Sequence, residues 1–470
     1  MKILFIDPYG WQGAASGNRA YPNIGIAYLS AALKKRGHEV FFIDLNNILI
    51  AEHDILDQIT NIAPTVICFS VKTATFRHAK ELALKVKQAN PTIKIAFGGP
   101  HITLYWDELQ GDSFADLLFV GEGEHELAGA LEQLVAETPS QTSPRIHMAG
   151  TERINAVDSL EFPDYTIFSD AVKETLKSGY PLISSRGCPY QCIYCSVPKI
   201  TGSKNRQRSP QNVISELKQA IQNYGITGFE VIDDSWNINM ERCKTMCRML
   251  IEEKLNLNWT CPNGIRADRI DEELAMLMFQ SGCRSANVGV ESGSEFVFQN
   301  IKKGTTLDKI ETGIKHLQKA GISVSGFFII GLPGDNPSHV QESLDFVKRN
   351  IIGCHFNMLV PYPKTEVYEW VKQHGTFLKA DDYLHFTTDL KKLNPVFETK
   401  GFSAFAMKKA YIHAHLEANN LSLIMPPHLS PLAYKWQYLK ILLYADPVQI
   451  PSFLFKSIIK FLRRILSYCL

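Results

Sequence analysis

No stretch of this 470-residue chain approaches the ~18 uninterrupted apolar residues of a membrane-spanning helix. Its opening, Met1-Lys2-Ile3-Leu4-Phe5-Ile6-Asp7, is too short an apolar run for the core of a secretory signal and reads as a strand. Net charge is nearly absent, +1 from 49 basic and 48 acidic residues, so nothing global draws the chain to nucleic acid. After its one dense cysteine group, no fourth Cys or His stands at ribbon spacing, and no second group appears towards the C-terminus. A structural zinc site wants that fourth ligand, and a second metal centre has no cysteine cluster to use. With ten cysteines and no sign of export, the thiols are expected reduced, in a cytoplasmic protein that touches a membrane at most by its surface. The remaining totals, 45% hydrophobic and 21% charged, are those of an ordinary globular chain with room for two to four domains.

What is present is organised around Cys188-Pro189-Tyr190-Gln191-Cys192-Ile193-Tyr194-Cys195. The stretch follows a strand-like run, Pro181 to Ser185, and so reads as a loop at the carboxyl end of a strand. Three thiolates this close converge on one soft metal centre. A cubane iron–sulfur cluster with three protein thiolates keeps one iron open to a substrate. Cys68, Cys243, Cys247, Cys261, Cys283, Cys354 and Cys469 are scattered and read as small buried hydrophobes. Cys243 and Cys247, four apart on an expected helix, suit core packing better than a shared metal.

The Cys-x3-Cys-x2-Cys spacing, with Tyr194 before the last cysteine, resembles the signature of the radical SAM superfamily. That resemblance implies a [4Fe-4S] cluster on Cys188, Cys192 and Cys195. Its open iron holds S-adenosylmethionine (SAM), and one electron splits the sulfonium to a 5′-deoxyadenosyl radical. From Pro181 to about Gln373 strand and helix signals alternate, as in a partial (β/α)6 TIM-type barrel, whose chemistry gathers at the carboxyl ends of the strands. Gly228–Ile232 ends in Asp233-Asp234, where the family holds the methionyl ammonium. Adjacent carboxylates point opposite ways on an extended chain, so one is expected to face the site, and a helix cap is the plainer role. After Asn258–Cys261 comes Arg266, suited to clamp a carboxylate with two N–H bonds or simply to pair with Asp268. After Ser285–Gly289 come Glu291 and Ser292, which the resemblance assigns to the ribose of SAM. Val324–Ile330 runs into Gly331-Leu332-Pro333-Gly334, similar to the family's adenine-binding strand; glycine alone says only turn. His355–Val360 leads to Pro361-Tyr362-Pro363-Lys364-Thr365, where the related motif has Gly at the position of Lys364.

The first ~150 residues alternate strand and helix, which argues a Rossmann-like parallel sheet with helices on both faces. Strands are expected at Lys2–Ile6, Glu39–Asp44, Thr65–Ser70, Ile93–Phe97 and Asp116–Val120, with helices such as Gly25–Arg36 and Phe76–Ala89 between. Ligands in such sheets sit beyond the strand carboxyl ends. Ser70-Val71-Lys72, Gly98-Gly99 and the Gly121-Glu122-Gly123-Glu124 loop are similar to elements of cobalamin-binding domains joined to radical SAM barrels. The Asp-x-His-x-x-Gly element that would ligate cobalt is missing. The resemblance therefore implies cobalamin held base-off without a protein His, touched by Ser70, Val71, Gly98, Gly99, Gly121, Glu122 and Gly123. A fold kept without its corrin, with these glycines as tight turns, is the alternative, and His101 reads as a surface residue rather than a corrin contact.

The expected domains are 1–137 (cobalamin-binding), 138–180 (linker), 181–373 (radical SAM barrel) and 374–470 (mostly helical). Asp381–Phe386 and Phe397–Phe405 are candidate substrate-facing loops. Near the end, Lys456, Lys460, Arg463 and Arg464 form a basic stripe on an otherwise apolar helix. That pattern suits an anionic membrane interface, or docking onto the barrel or a partner. The function implied is a cobalamin-dependent radical SAM enzyme, for C-methylation or for oxidative cyclisation without methyl transfer. A non-reacting cobalamin sensor is the alternative from another class, though it would not need the cysteine triad. The implied partners are a small-molecule substrate, lipid-like or tetrapyrrole, and an electron donor such as flavodoxin or ferredoxin.

Overall fold

A computed structural model of the chain describes residues 1–8, 22–45, 52–136, 144–149, 154–378 and 394–418. The Asp381–Phe386 segment, Cys469 and the stretch 453–470, expected from its sequence to be a basic helix, lie outside the described residues. No described helix is long and apolar enough to cross a membrane.

The first sheet holds β1 (Lys2–Asp7), β2 (Glu39–Asp44), β3 (Val66–Ser70), β4 (Lys94–Gly98), β5 (Leu117–Val120) and β6 (Arg145–Met148). They run parallel in the order β2-β1-β3-β4-β5-β6. The chain steps to one side of β1 and then to the other, so the β1/β3 gap is the topological switch point. Apolar runs such as Ile3-Leu4-Phe5-Ile6 are buried throughout, because helices cover both faces. One face, with Leu4, Ile67, Phe69 and Phe97, forms its own core. The other, with Ile3, Phe5 and Phe119, joins the core of the second unit. Strand β6 falls inside the stretch expected as linker. Four residues, Arg-Ile-His-Met, with only partial burial carry too little alternation to announce an edge strand.

The second sheet begins with β7 (Tyr180–Leu182), followed by a two-residue antiparallel ribbon of β8 (Ser185–Arg186) and β9 (Arg206–Gln207). It continues with β10 (Gly228–Val231), β11 (Asn258–Ile265), β12 (Cys283–Glu291), β13 (Ser323–Ile330) and β14 (Gly353–Met358). The six main strands, β7 and β10 to β14, are parallel and stand in sequence order, which is the wall of a six-unit partial barrel. Strand β11 runs past its expected end at Cys261, through a register shift where Gly264 sits at φ +97°. The short hairpin β15 (Gly375–Phe377) and β16 (Phe397–Thr399) and the helix Ala404–Glu417 follow. That helix packs on β14, with His415 Nε2 3.1 Å from the Phe356 carbonyl.

The carboxyl ends of the two sheets face each other. From the first unit come the short helix Pro100–Tyr105 after β4 and the loop after β5. The Tyr105 hydroxyl donates to the Pro363 carbonyl at 3.4 Å, and Lys364 Nζ donates to the Leu104 carbonyl at 2.6 Å and pairs with Asp107 at 2.5 Å. Across the same seam Arg186 pairs with Glu124 at 2.5 Å, and Arg206 grips Glu122 with two bonds of 2.6 and 2.7 Å.

Candidate active site at the facing strand ends

The cysteine loop leaves the ribbon at Gly187 and is pinned by backbone. Gly187 has φ +84°, and a Cβ there would stand 2.8 Å from the Gly202 carbonyl, so only glycine fits without strain. The Cys188 amide donates to Gly202 at 3.1 Å, Cys195 to Cys192 at 3.0 Å, and Ile193 to Ile301 at 3.2 Å. Cys188, Cys192 and Cys195 are half-buried and free of disulfides. Burial pushes the Cys188 thiol up, and that of Cys195 to about 11. Each lies close enough to Cys192 to feel its charge, so a metal binding here would displace protons. Among the described residues no three His, Cys, Asp or Glu side chains gather as they would round a single ion. Three free thiols on one loop are the donor type that an iron–sulfur cluster would take. The scattered cysteines behave as expected, with Cys68, Cys243, Cys247, Cys261, Cys283 and Cys354 all buried.

The paired acids after β10 turn in different directions. Asp233, 2% exposed, accepts from the Ser184 amide (2.6 Å) and from the hydroxyls of Ser184 (2.8 Å) and Ser185 (2.6 Å). Burial raises its carboxyl, against the pull of Ser185, Arg242 and Ser184. Asp234 Oδ2 accepts from the Gly187 amide at 3.0 Å and the Thr201 hydroxyl at 2.7 Å, which steadies the root of the cysteine loop. Neither acts as a helix cap.

Arg266 is buried rather than on the surface. Its Nε and Nη2 donate to both oxygens of Asp268 at 2.9 and 2.8 Å, and Nη1 donates to the Lys303 carbonyl at 2.8 Å. Its guanidinium lies 3.6 Å from the ring centre of Tyr190, inside the cysteine loop. Glu291 ends β12 at φ +70°, a left-handed conformation unusual for this residue, beside a register shift after Gly289. Its Oε1 accepts from Lys303 Nζ at 2.7 Å in a buried pair. A Cβ on Gly289 would come within 2.9 Å of that ammonium. The Tyr194 hydroxyl end lies against Cys192 and Glu291, and burial first, then those charges, drives it well up. Ser292 Oγ accepts from the Ser294 amide at 3.2 Å. Ser294 Oγ and Thr305 Oγ1, flanking the Glu291–Lys303 pair in sequence, are buried without partners among the described residues, which suits a polar ligand there. Gly331, at φ +94°, donates its amide to Asp335 at 2.8 Å and sits against Phe397 and Met407.

In the first unit Ser70, Gly98, Gly99, Gly121, Glu122 and Gly123 are half-buried at the rim, and Val71 is fully buried. Gly99 has φ +92°, and a Cβ on it would stand 2.8 Å from the Val71 nitrogen. The β3 and β4 ends therefore meet backbone to backbone, with no room for a side chain at Gly99. His101 is no surface residue. It is fully buried between Phe76 and Tyr105, with ring centres at 4.2 and 4.9 Å. Sequence reasoning missed Lys303, Arg186, Arg206 and Thr201. The only local signal was two arginines flanking the cysteine loop.

The model of the Radical SAM superfamily matches residues 182–347, and that of the B12 binding domain matches residues 14–131. An uncharacterised methyltransferase of Pyrococcus horikoshii is 27% identical over 413 residues, covering 84% of this chain and 88% of that protein. The anaerobic magnesium-protoporphyrin IX monomethyl ester cyclase of Cereibacter sphaeroides is 23% identical over 444 residues, covering 88% and 71%. Among solved structures, the radical S-adenosylmethionine methyltransferase TsrM of Kitasatospora setae aligns with a TM-score of 0.67 at 16% identity, covering 91% and 89%. With the cysteine loop at the strand ends of a partial barrel, these matches make the chain a radical SAM enzyme. More narrowly, it belongs to the radical SAM enzymes that carry a B12-binding domain before the barrel.

Proposed function

We propose that the chain abstracts hydrogen from an unactivated carbon of a small molecule and delivers a methyl group there. The observation that carries this reading is the apposition of the two sets of strand carboxyl ends through Tyr105–Pro363, Lys364–Leu104 and the Arg–Glu pairs. A corrin on the first and a cluster on the second would then open onto one space. When bound, the [4Fe-4S] cluster supplies the electron that cleaves SAM, and cobalamin supplies a methyl carrier.

The chain's own residues do the positioning. Cys188, Cys192 and Cys195 hold the iron, with Tyr194 packed behind Cys192. Glu291 and Ser292 take the ribose, and Lys303, 2.7 Å from Glu291 Oε1, fixes where that carboxylate points. Arg266 is committed to Asp268, so it shapes the wall under Tyr190 rather than clamping a free carboxylate. Asp234 braces the loop, Asp233 the ribbon, and the Gly331 turn lines the adenine end. The rim of Ser70, Gly98, Gly99, Gly121 and Gly123, above Val71 and with the Glu122 carboxylate tied to Arg206, would carry the corrin, without the His ligand that the missing Asp-x-His-x-x-Gly element would supply. The name of the C. sphaeroides relative supports a second reading, oxidative cyclisation, and a tetrapyrrole or other extended apolar substrate. Flavodoxin or ferredoxin serves as electron donor.

Anaerobic purification, supply of iron and sulfide, and mass spectrometry test this. Wild type should be coloured and, once reduced, should release 5′-deoxyadenosine from SAM, and its product should gain CH2. A product that only loses hydrogen favours cyclisation. C192A should drop iron and 5′-deoxyadenosine to background. Wild-type iron in C192A, or colourless iron-free wild type, would end the proposal.

A further inference from the structure

The Gly121–Glu124 loop spends its carboxylates on the barrel. Glu122 accepts both Nη groups of Arg206 at 2.6 and 2.7 Å and the Ile154 amide at 3.1 Å. Burial opposes its charge, but the Arg206 bonds and the Arg186 and Arg206 charges hold its carboxyl below the usual range. Arg206, 4% exposed, passes the contact on by donating to the Thr201 carbonyl at 2.7 Å. The Thr201 hydroxyl donates to Asp234, which accepts the Gly187 amide. Gly202, next to Thr201, accepts the amide of Cys188 itself. The hydrogen bonds, 2.6–3.1 Å long, and the Thr201–Gly202 peptide form one contiguous network through which coupling can be carried.

We infer that Glu122 is a positioning residue for the cysteine loop, acting from the other domain through Arg206, the Thr201–Gly202 turn and Asp234. Removing its charge leaves Arg206 buried without a full counter-ion. The guanidinium then shifts, the turn it holds shifts with it, and Gly187 and Cys188 lose two fixed partners. Docking of the B12-binding domain is thereby tied to the shape of the loop that bears the cysteines. The Lys364 contacts dock the same two units but reach the cysteine loop at its other end, where the Val367 amide donates to the Ile193 carbonyl at 3.0 Å, so they serve as the control for Gly187 and Cys188.

Hydrogen–deuterium exchange on the full chain as isolated needs neither iron nor SAM, so its outcome stands apart from the proposed function. E122Q should speed exchange at Gly187 and Cys188 about tenfold, as expected for coupled residues. E122D should restore part of the protection, and K364M should leave these amides as in wild type. Strands β13 and β14 should stay unchanged in all three. A change confined to residues 121–124 and 154, or equal loosening by K364M, would overturn the inference. In iron-loaded protein, E122Q should keep its iron yet need about tenfold more SAM to alter the electron paramagnetic resonance of the reduced cluster. An unaltered SAM requirement would also count against it. Iron-free wild type would defeat the proposed function alone.

Discussion

Burial runs differently along the two parallel sheets. The inner strands of the first are buried almost without interruption, as in β3 and β5, because helices lie on both sides, while the edge strands β2 and β6 are only partly buried. Strands of the second alternate. In β13, Val324, Gly326, Phe328 and Ile330 are buried against helices, whereas Ser325, Phe327 and Ile329 stay half-buried. The same alternation places His355 and Asn357 of β14 and Asn287 of β12 on the concave side. A complete barrel fills that side with branched aliphatic layers. Here it carries amides, a histidine and glycines, with the Phe327 ring 3.4 Å from where a Cβ of Gly264 would be and 5.6 Å from the His355 ring. One sheet is scaffold on both faces, and the other keeps a face for a ligand.

Two phenylalanines, Phe97 fully buried and Phe327 half-buried, test that contrast. Phe97, fully buried, stacks on Phe69 at 4.7 Å and meets Phe114 edge-on at 4.8 Å. F97A should cost about 3–5 kcal/mol. F327A, on the concave side, should cost roughly 1 kcal/mol but leave SAM cleavage uncoupled from product. Denaturant midpoints and the ratio of 5′-deoxyadenosine to product measure both. Equal destabilisation would mean the concave face is a filled core.

The same contrast sets what could be read from the sequence. Continuous apolar runs and the cysteine spacing are local, and they located the strands and the triad's loop. Glu122 and Arg206 are 84 positions apart, and their pairing depends on how two domains dock, which no local pattern encodes. Lys303 answers Glu291 only because a strained turn at φ +70° aims the carboxylate back. His101 looked like a surface residue because a polar side chain after Gly-Gly-Pro suits an exposed turn. Its aromatic neighbours Phe76 and Tyr105 make it part of the core instead.

The burial of His101 has a pH signature. Burial depresses His101 to about 3, from a usual value near 6.5. Because the folded value is the lower one, the unfolded chain takes up the proton first. Stability is therefore lost as pH falls from about 6.5 towards 3, by up to about 1.4 kcal/mol per pH unit. Asp7 and Asp335, raised by burial to about 6 and about 7, act with the opposite sign, since the folded state holds their protons and gains stability on acidification towards pH 4. Comparing wild type with H101Q cancels the acids. Between pH 6 and 4 the variant should lose stability less steeply, and parallel curves would show that His101 is protonated in the fold.

The smallest effect is expected where the two sheets meet. Lys364 occupies a left-handed conformation, φ +65°, that a side chain disfavours by about 1–2 kcal/mol. Its Nζ contacts with Leu104 and Asp107, partly exposed, return about 0–1 kcal/mol. K364G removes strain and contact together, so its thermal midpoint should stay within a few degrees of wild type. K364M removes the contact and keeps the strain, so it should melt lowest of the three. If K364M proved as stable as K364G, the backbone at this seam would be relaxed. The ammonium would then be dispensable, and the seam would rest on Tyr105 and the Arg–Glu pairs.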